Sequence, residues 1–308
     1  MAVFTLLPPF YEKPPFSDAN LFLERIEKEF SILIERYAYL KDAFDHDVFI
    51  VNEDMVFRFP RTKRDTEHLA YEIAFLNDLK GNVNVVIPDY SFLPKSGDFA
   101  GYKLIPGTLL APWIFRKLNQ KDKEAAVIQL IEFINTFHHM DLHDFAQYQP
   151  RERKDFIAIE QRVEKELVEK LFPKLPSNEV KRIKDFYKET HEHFHDIPNS
   201  CATHGDLYAF NVIWDRDTSQ IGVIDFSDLL IGDPARDFEV FYDYGLEYAE
   251  MAYEQYRGPK DKNFLRRAET YYKLHAIYTL LSSQLGALIT FEHAHMRFRQ
   301  KFNLLGHA

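Results

Sequence analysis

The sequence predicts an α+β fold, with a β-rich part in residues 1–105 followed by a larger, mainly helical part in residues 106–308. Short runs of β-branched and aromatic residues alternate with turn residues in the first part, as in antiparallel strands. Apolar residues at helical spacing dominate the second part. Because Pro106-Gly107 interrupts the chain between the two patterns, we place the domain boundary at this dipeptide.

The β-rich part contains five strand-like runs and two helices. The predicted strands cover residues 32–40, 48–51, 55–59, 85–87 and 99–105. Asn52-Glu53-Asp54 forms a hairpin turn between the second and third strands. Ser17 or Asp18 caps a helix that ends near residue 30, and a second helix covers residues 66–80.

The remainder of the chain has the periodicity of amphipathic helices. The predicted helices cover residues 121–140, 155–171, 178–194 and 264–305, the last as one or two helices. The longest apolar stretch, 277–291, is short and carries Ser282, Ser283 and Gln284. We therefore interpret it as a core helix and expect no contact with a membrane.

Composition excludes several classes of protein. The chain has 308 residues, of which 46% are hydrophobic, so it can bury a substantial core. Its formal net charge of −10 argues against nucleic acid as a partner, because phosphate backbones require patches of Lys and Arg. One cysteine, Cys201, excludes an internal disulfide and indicates a reducing compartment such as the cytoplasm. Residues 1–9 lack the basic segment and cleavage site of a signal peptide.

Two oxygen-bearing side chains flank a predicted hairpin in the second half of the chain. Strands 212–215 and 220–224 are expected to pair, which would bring Asn211 and Asp225 to neighbouring strand ends. Amide and carboxylate oxygens are ligands that Mg²⁺ prefers in proteins. Asn211 and Asp225 are therefore the predicted metal ligands.

A His204-Gly205-Asp206 triplet stands ahead of Asn211, with four residues between Asp206 and Asn211. Asp206 is predicted to orient a substrate hydroxyl and take its proton, whereas His204 is predicted to hold the loop in place. An H-x-D-x-x-x-x-N segment followed by an apolar strand ending in Ile-Asp-Phe is the arrangement of kinase catalytic segments. With Gly205 at its centre, the triplet resembles that of the aminoglycoside phosphotransferase family, which includes a macrolide branch.

The resemblance implies a two-lobed, protein-kinase-like fold with a small nucleotide-binding lobe and a larger catalytic and substrate-binding lobe. It also implies Mg²⁺ as cofactor, ATP or GTP as phosphate donor and a hydroxyl of a small molecule as acceptor. An aminoglycoside-type antibiotic is the leading acceptor, and a macrolide or another metabolite is the alternative. A monomer and a homodimer are both compatible with the sequence.

The β-rich part carries a second set of matching residues, since Asp45-His46-Asp47-Val48 and Phe57-Arg58-Phe59-Pro60 also resemble the family. Arg58 and Glu72, fourteen positions apart, match the basic residue and helix carboxylate that kinases place at the α- and β-phosphates. The family binds the nucleotide base against the segment between the lobes. The resemblance therefore assigns four consecutive residues to the nucleotide site: Tyr102, Lys103, Leu104 and Ile105. Of these, Tyr102 is expected at the back of the base pocket.

Two departures from the kinase pattern motivate an alternative function. Arg58 stands where protein kinases have Lys, and it would grip a phosphate with a planar, forked donor. Residues 41–47 contain no glycine, so a loop over the phosphates would need other donors. A nucleotide-binding pseudo-enzyme with weak catalysis is the alternative, against which the intact Asp206, Asn211 and Asp225 argue.

Acidic residues continue beyond the catalytic segment. Asp233 precedes Pro234 and is predicted to cap a helix, and by resemblance Asp233 and Asp237 brace the catalytic loop. The next helix is predicted to carry acidic residues four positions apart, with a tyrosine beside them: Glu239, Asp243, Glu247 and Tyr242. Like charges at this spacing repel, and a cationic substrate would offset the repulsion. These four are the candidate substrate-binding residues; a solvated acidic face, or a tyrosine-lined site for a less charged ligand, is the alternative.

Overall fold

The computed structural model describes residues 11–12, 19–40, 46–152, 161–195, 197, 199–285 and 289–304. The predicted cap residues Ser17 and Asp18, most of the glycine-free loop (41–45) and residues 155–160 lie outside the described part.

The chain forms two compact units. The first consists of Met1–Leu110 with Phe210–Ser227, and the second of Ala111–Ala209 with Asp228–Ala308. The assignment of a nucleotide-binding lobe to residues 1–105 and of a catalytic lobe to residues 106–308 stays a prediction.

An antiparallel sheet of six strands forms most of the first unit. Its strands are β1 (Tyr11–Glu12), β2 (Arg36–Leu40), β3 (His46–Val51), β4 (Met55–Pro60), β5 (Tyr90–Phe92) and β6 (Ala100–Lys103), in the order β1-β2-β3-β4-β6-β5. The predicted β3–β4 hairpin is confirmed, with Val51 opposite Met55. Asn52 and Glu53 adopt left-handed φ values of 51° and 58°, which match the twist of the two strands.

The prediction that a strand begins at residue 32 is wrong by four residues, because β2 begins at Arg36. Tyr37 already pairs with Val51, the last residue of β3, so β3 offers no further partner to residues 32–35. The side chain of Asn52 accepts hydrogen bonds from the backbone N–H groups of Glu35 and Arg36 instead, at 2.9 and 3.2 Å.

The predicted strand at residues 85–87 is also wrong, since β5 begins at Tyr90. Val86 forms a parallel bridge to Gly222, with its N–H donating to the carbonyl of Ile221 at 2.9 Å. Its partner lies far away in the sequence, and local patterns therefore could not indicate it. Ile221 and Gly222 belong to a second sheet of the first unit, formed by β7 (Thr108–Leu109), β10 (Val212–Asp215) and β11 (Gln220–Val223) in the order β11-β10-β7.

Two helices accompany these sheets, α1 (Asn20–Phe30) and α2 (Lys63–Leu79). The second begins three residues before the predicted start because Thr62 and Asp65 form a capping box. Aromatic residues dominate the core around α1, where Phe59 and Phe99 stack with ring centroids 4.4 Å apart. Burying each such ring stabilises the fold by about 1.5–3 kcal/mol.

The second unit is mainly helical, as predicted. Its helices are α3 (Pro112–Phe115), α4 (Gln120–His138), α5 (Leu142–Phe145), α6 (161–166, continued by a π-helical turn at Leu167–Leu171), α7 (Ser177–His195), α8 (Glu239–Tyr244), α9 (Leu246–Gln255), α10 (Phe264–Ser282) and α11 (Phe291–Lys301). A three-stranded sheet of β8 (Arg151–Glu152), β12 (Leu230–Gly232) and β9 (Cys201–Thr203) lies among them. The observed α+β class, with its antiparallel N-terminal sheet and helical C-terminal part, confirms the prediction.

The prediction of one continuous helix through Glu239, Asp243 and Glu247 is wrong. The chain breaks at Gly245, which has a φ of +142° that side-chain-bearing residues rarely adopt. Helix α8 therefore ends at Tyr244 and a separate helix, α9, begins at Leu246.

The apolar stretch that begins at Ile277 forms the end of α10, which packs its buried face into a core with α7 and α11. Across the described residues, helices are too short or too polar to cross a membrane.

Cys201 is buried in β9, where the lack of solvation raises the pKa of its thiol.

Candidate active site

The β10–β11 hairpin forms the first part of the candidate site, and the predicted pairing of its two strands is confirmed. Val212 lies opposite Val223, and the N–H of Ile224 donates to the carbonyl of Asn211 at 3.0 Å. Antiparallel pairing therefore brings Asn211 and Asp225 to the same end of the hairpin. Asn211 is buried, whereas the carboxylate of Asp225 is 44% exposed.

Asp225 sits in an unusual backbone conformation, with a φ of 65°. The hydroxyl of Ser227 donates to its Oδ1 at 2.9 Å. A non-glycine residue in this region costs of order 1 kcal/mol or more, and such strain tends to persist at functional sites. An exposed carboxylate beside an amide fits Mg²⁺, which takes few protein ligands and completes its shell with water and phosphate oxygens.

Arg58 of β4 and Glu72 of α2 form the predicted ion pair, with 2.5 Å between Nη1 and Oε1. Both side chains are buried, and the hydroxyl of Tyr90 accepts a hydrogen bond from Arg58 at 2.8 Å. Burial disfavours the charged guanidinium, but the Glu72 carboxylate, Tyr90 and the Asp225 carboxylate together outweigh this and raise the pKa of Arg58 well above its usual value. The guanidinium is therefore a permanent cation.

The same guanidinium also faces the hairpin. Its Nη2 lies 3.4 Å from Oδ1 of Asp225 and 3.5 Å from Nδ1 of His46. Burial, and after it the charge of Arg58, lower the pKa of His46 to about 3. His46 is thus neutral at ordinary pH, which leaves Arg58 as the cation beside Asp225.

The four residues assigned to the nucleotide site by resemblance lie at and after β6. Tyr102 is buried and packs edge-on against Tyr90, with ring centroids 5.1 Å apart. Lys103 is exposed and forms an ion pair with Asp54, whose carbonyl accepts the N–H of Leu104 at 2.8 Å. Ile105 is buried against Gly222, where an added Cβ would come within 2.7 Å of its side chain. Their contact with a nucleotide base stays a prediction.

The His204-Gly205-Asp206 loop belongs to the second unit, directly after β9. Asp237 accepts hydrogen bonds from the N–H groups of His204 at 2.8 Å and Gly205 at 3.0 Å. Gly205 has a φ of +82°, and an added Cβ would lie 2.0 Å from the carbonyl oxygen of Asp228. The loop is thus held by a carboxylate and requires glycine at its centre.

Asp237 is itself held by a histidine that sequence analysis did not single out. Nε2 of His138 lies 3.0 Å from the Asp237 carboxylate, and Nδ1 lies 2.8 Å from the hydroxyl of Tyr256. Because a carboxylate only accepts, Nε2 of His138 donates and Nδ1 accepts from Tyr256. His138 is buried, although it is the last residue of α4. Its helical spacing from Val127, Ile131 and Ile134, which are also buried on α4, is the signal that could have found it.

Asp233 caps the 3₁₀ helix Pro234–Phe238, accepting the N–H of Ala235 at 3.1 Å. Its carboxylate also binds the buried guanidinium of Arg267 at 2.7 Å, and Arg267 in turn binds Asp261 at 2.7 Å. These contacts support the structural roles predicted for Asp233 and Asp237.

Two of the three acidic residues predicted to bind the substrate lie against basic residues of the second unit. Glu239 lies 2.7 Å from Nδ1 of His275, and Asp243 lies 3.3 Å from Nζ of Lys301. Glu247 is exposed on α9, beyond the break at Gly245, and does not join the other two. The hydroxyl of Tyr242 donates to the carbonyl of Leu265 at 2.8 Å. Sequence analysis missed His275 and Lys301, which lie on helices far along the chain.

Comparison with known proteins identifies the family. Residues 37–274 match the model of the APH family, described as a phosphotransferase enzyme family. Among solved structures, the GDP complex of wild-type aminoglycoside 2'-phosphotransferase-IIIa superposes with a TM-score of 0.77 at 22% identity, covering 94% of this chain and 99% of that protein.

Two further structures have the same fold. The ternary complex of APH(2")-IIa with streptomycin and ATP gives a TM-score of 0.65 at 21% identity, covering 94% of this chain and 97% of that one. The apoenzyme of macrolide 2'-phosphotransferase MphH from Brachybacterium faecium gives a TM-score of 0.59 at 16% identity, covering 94% of this chain and 99% of that one. With its fold shared by these structures and most of its length matched by the family model, this chain belongs to the phosphotransferase enzyme family.

Proposed function

We propose that this protein transfers the γ-phosphate of a nucleoside triphosphate to a hydroxyl of a small molecule. The observation that carries the proposal is the 3.4 Å distance between Nη2 of Arg58 and Oδ1 of Asp225 in the first unit. A buried guanidinium beside an exposed carboxylate combines a phosphate-binding cation with a metal ligand. Family membership supports phosphate transfer as the reaction.

In this proposal Arg58 binds a phosphate of the donor, and Glu72 and Tyr90 fix the orientation of its guanidinium. Asn211 and Asp225 would hold Mg²⁺, which would neutralise charge on the phosphates. The proposed base-contacting segment is 102–105. The relatives solved with GDP and with ATP support either nucleotide as donor.

On the acceptor side, Asp206 accepts a hydrogen bond from the substrate hydroxyl and orients its oxygen toward the γ-phosphorus. As the new P–O bond forms and the bond to the nucleoside diphosphate breaks, the hydroxyl proton passes to Asp206. Asp237 contributes by holding the backbone of the loop that carries Asp206. Aminoglycosides and macrolides are the acceptor classes that the solved relatives support.

We expect Arg58→Met to weaken ATP and GTP binding by about tenfold or more, because a hydrogen bond to a charged group contributes about 1.5–3 kcal/mol. The same substitution should lower the free energy of unfolding by about 3–5 kcal/mol, since it leaves the buried Glu72 carboxylate unpaired. Titration calorimetry with each nucleotide and thermal unfolding measure the two effects.

The double variant Arg58→Met/Glu72→Gln is the matched control for this experiment. It removes the unpaired carboxylate and should regain most of the stability without regaining nucleotide affinity. Wild-type affinity in this variant would remove Arg58 from the phosphate site.

The transferase assay itself uses ATP and GTP with Mg²⁺ and an acceptor panel of kanamycin, erythromycin and small amino alcohols. Phosphate transfer to any of these acceptors, absent from the Asp206→Asn protein, is the expected result. Nucleotide binding without transfer to any of these acceptors would contradict the tested acceptor classes and favour another metabolite or the weakly catalytic pseudo-enzyme, which thermal shifts with a wider ligand set would separate.

A further inference from the structure

We propose that Lys301 is a specificity-determining residue whose ammonium serves as a built-in counter-ion for Glu239 and Asp243, so that the enzyme favours acceptors of low positive charge over polycations. These two carboxylates are called the acidic pair below. The inference rests on the proposed function and narrows its acceptor class.

The ammonium of Lys301 is enclosed by groups that bind a cation. Its Nζ lies 3.3 Å from Oδ1 of Asp243 and 3.9 Å from Oε1 of Glu239. Nζ also donates a hydrogen bond to the backbone carbonyl of Tyr272 at 3.1 Å and lies 3.7 Å from the centroid of the Tyr272 ring. The Lys301 side chain is only 13% exposed. Two carboxylates, a carbonyl and an aromatic face are the partners that an amine-bearing ligand would use.

An imidazole also lies against the acidic pair. Nδ1 of His275 lies 2.7 Å from Glu239. Burial disfavours the charged imidazolium, but the Glu239 carboxylate outweighs this and raises the pKa of His275. The two carboxylates thus face the ammonium of Lys301 and an imidazole whose protonated form Glu239 favours. The Glu239 and Asp243 side chains are only 10% and 8% exposed, so a cationic ligand would have to displace a partner that is already desolvated.

The acidic pair adjoins the loop that carries Asp206, all within the second unit. Asp243 accepts the N–H of Ala209 at 3.2 Å, and the ring of Tyr208 packs on His275 with centroids 4.4 Å apart. The carboxylate of Asp206 also contributes to the raised pKa of His275. The charge of this cluster therefore acts where the acceptor hydroxyl must bind.

The test compares equilibrium binding of a polycation, kanamycin, with that of a macrolide carrying one amine, erythromycin. Lys301→Met keeps the aliphatic stem on Tyr272 but removes the charge. We expect it to bind kanamycin about tenfold more tightly than the wild type does, because one unit of positive charge is lost next to two carboxylates. Erythromycin affinity should change little, so the ratio of the two dissociation constants shifts toward the polycation.

Three controls isolate the charge. Lys301→Arg keeps the cation and should retain the wild-type ratio. Lys188→Met removes an exposed lysine of α7 and should leave both affinities unchanged. Lys301→Gln repeats the loss of charge with a polar side chain, in case the methionine variant does not fold. The gain in kanamycin affinity should fall as salt is raised.

A purely structural Lys301 gives a different result. The neutral variants would then unfold at a lower temperature, yet bind kanamycin no more tightly than the wild type does, and this outcome overturns the inference. Binding is measured without phosphate transfer, so it is independent of catalysis. Failure of the proposed function would appear separately, as a lack of transfer by the wild type to every acceptor.

Discussion

Asp206→Asn is expected to lower kcat for phosphate transfer by about 10²–10⁴-fold while nucleotide affinity stays at the wild-type value. The amide has the shape of the carboxylate but cannot take the hydroxyl proton as the new P–O bond forms. The loop should keep its conformation, because its anchors to Asp237 are backbone N–H groups of His204 and Gly205. Steady-state kinetics with either nucleotide, together with calorimetric titration of the donor, measure both quantities.

Asp144→Asn, on the exposed surface of α5, provides the control of the same chemical type and should behave as wild type. If Asp206→Asn retained the turnover of the wild type, the proton would go elsewhere and Asp206 would lose its proposed role.

The second large effect is expected at Asp237, whose substitution by Asn should destabilise the protein by about 3–5 kcal/mol. Both oxygens of Asp237 accept hydrogen bonds from buried donors, which are two backbone N–H groups and Nε2 of His138. Asparagine must turn its NH₂ group toward at least one of these donors, which leaves buried groups without partners. A melting temperature lower by about 10 °C and a reduced kcat are the expected readings.

Acid titration adds a second reading for Asp237. Burial raises the pKa of this carboxyl, but the hydrogen bonds from His138 and from the backbone of His204, together with the electrostatic effect of these two residues, outweigh it, so the pKa lies below its usual range. The group therefore contributes stability that is complete above the unfolded value of about 3.9 and is lost as pH falls through the folded value. The Asn variant should lack this part of the acid-induced loss of stability.

The comparison variant is Asp217→Asn, in the exposed β10–β11 turn, which should unfold at the wild-type temperature. Wild-type stability in Asp237→Asn as well would mean that the loop is held by other contacts.

Local sequence patterns predicted those site residues whose contacts are with residues nearby in the sequence. Asn211 and Asp225 were predicted at one strand end because a short hairpin leaves little choice of register, and the structure confirms the pairing of Val212 with Val223. Arg58 and Glu72 were predicted from their spacing across a strand and the following helix, and the ion pair forms.

Errors arose where a partner came from far along the chain or where a single residue changed the backbone. Val86 pairs with Gly222 and forms no local strand. The acidic stripe through Glu247 assumed a continuous helix, but Gly245 adopts a φ that ends α8. No periodicity can indicate such a backbone conformation in advance, because glycine is also tolerated inside helices.

By itself, the sequence determined the α+β class, the phosphotransferase resemblance and the order of the chemical groups from Asp206 to Asp225. Only the tertiary structure decided that His138 is buried against Asp237 and that Lys301 neutralises Glu239 and Asp243. The physical reason is that charge and spacing are local properties of a chain. Burial and ion pairing depend on which distant helices pack together, and at these positions that packing determines which charged groups are paired.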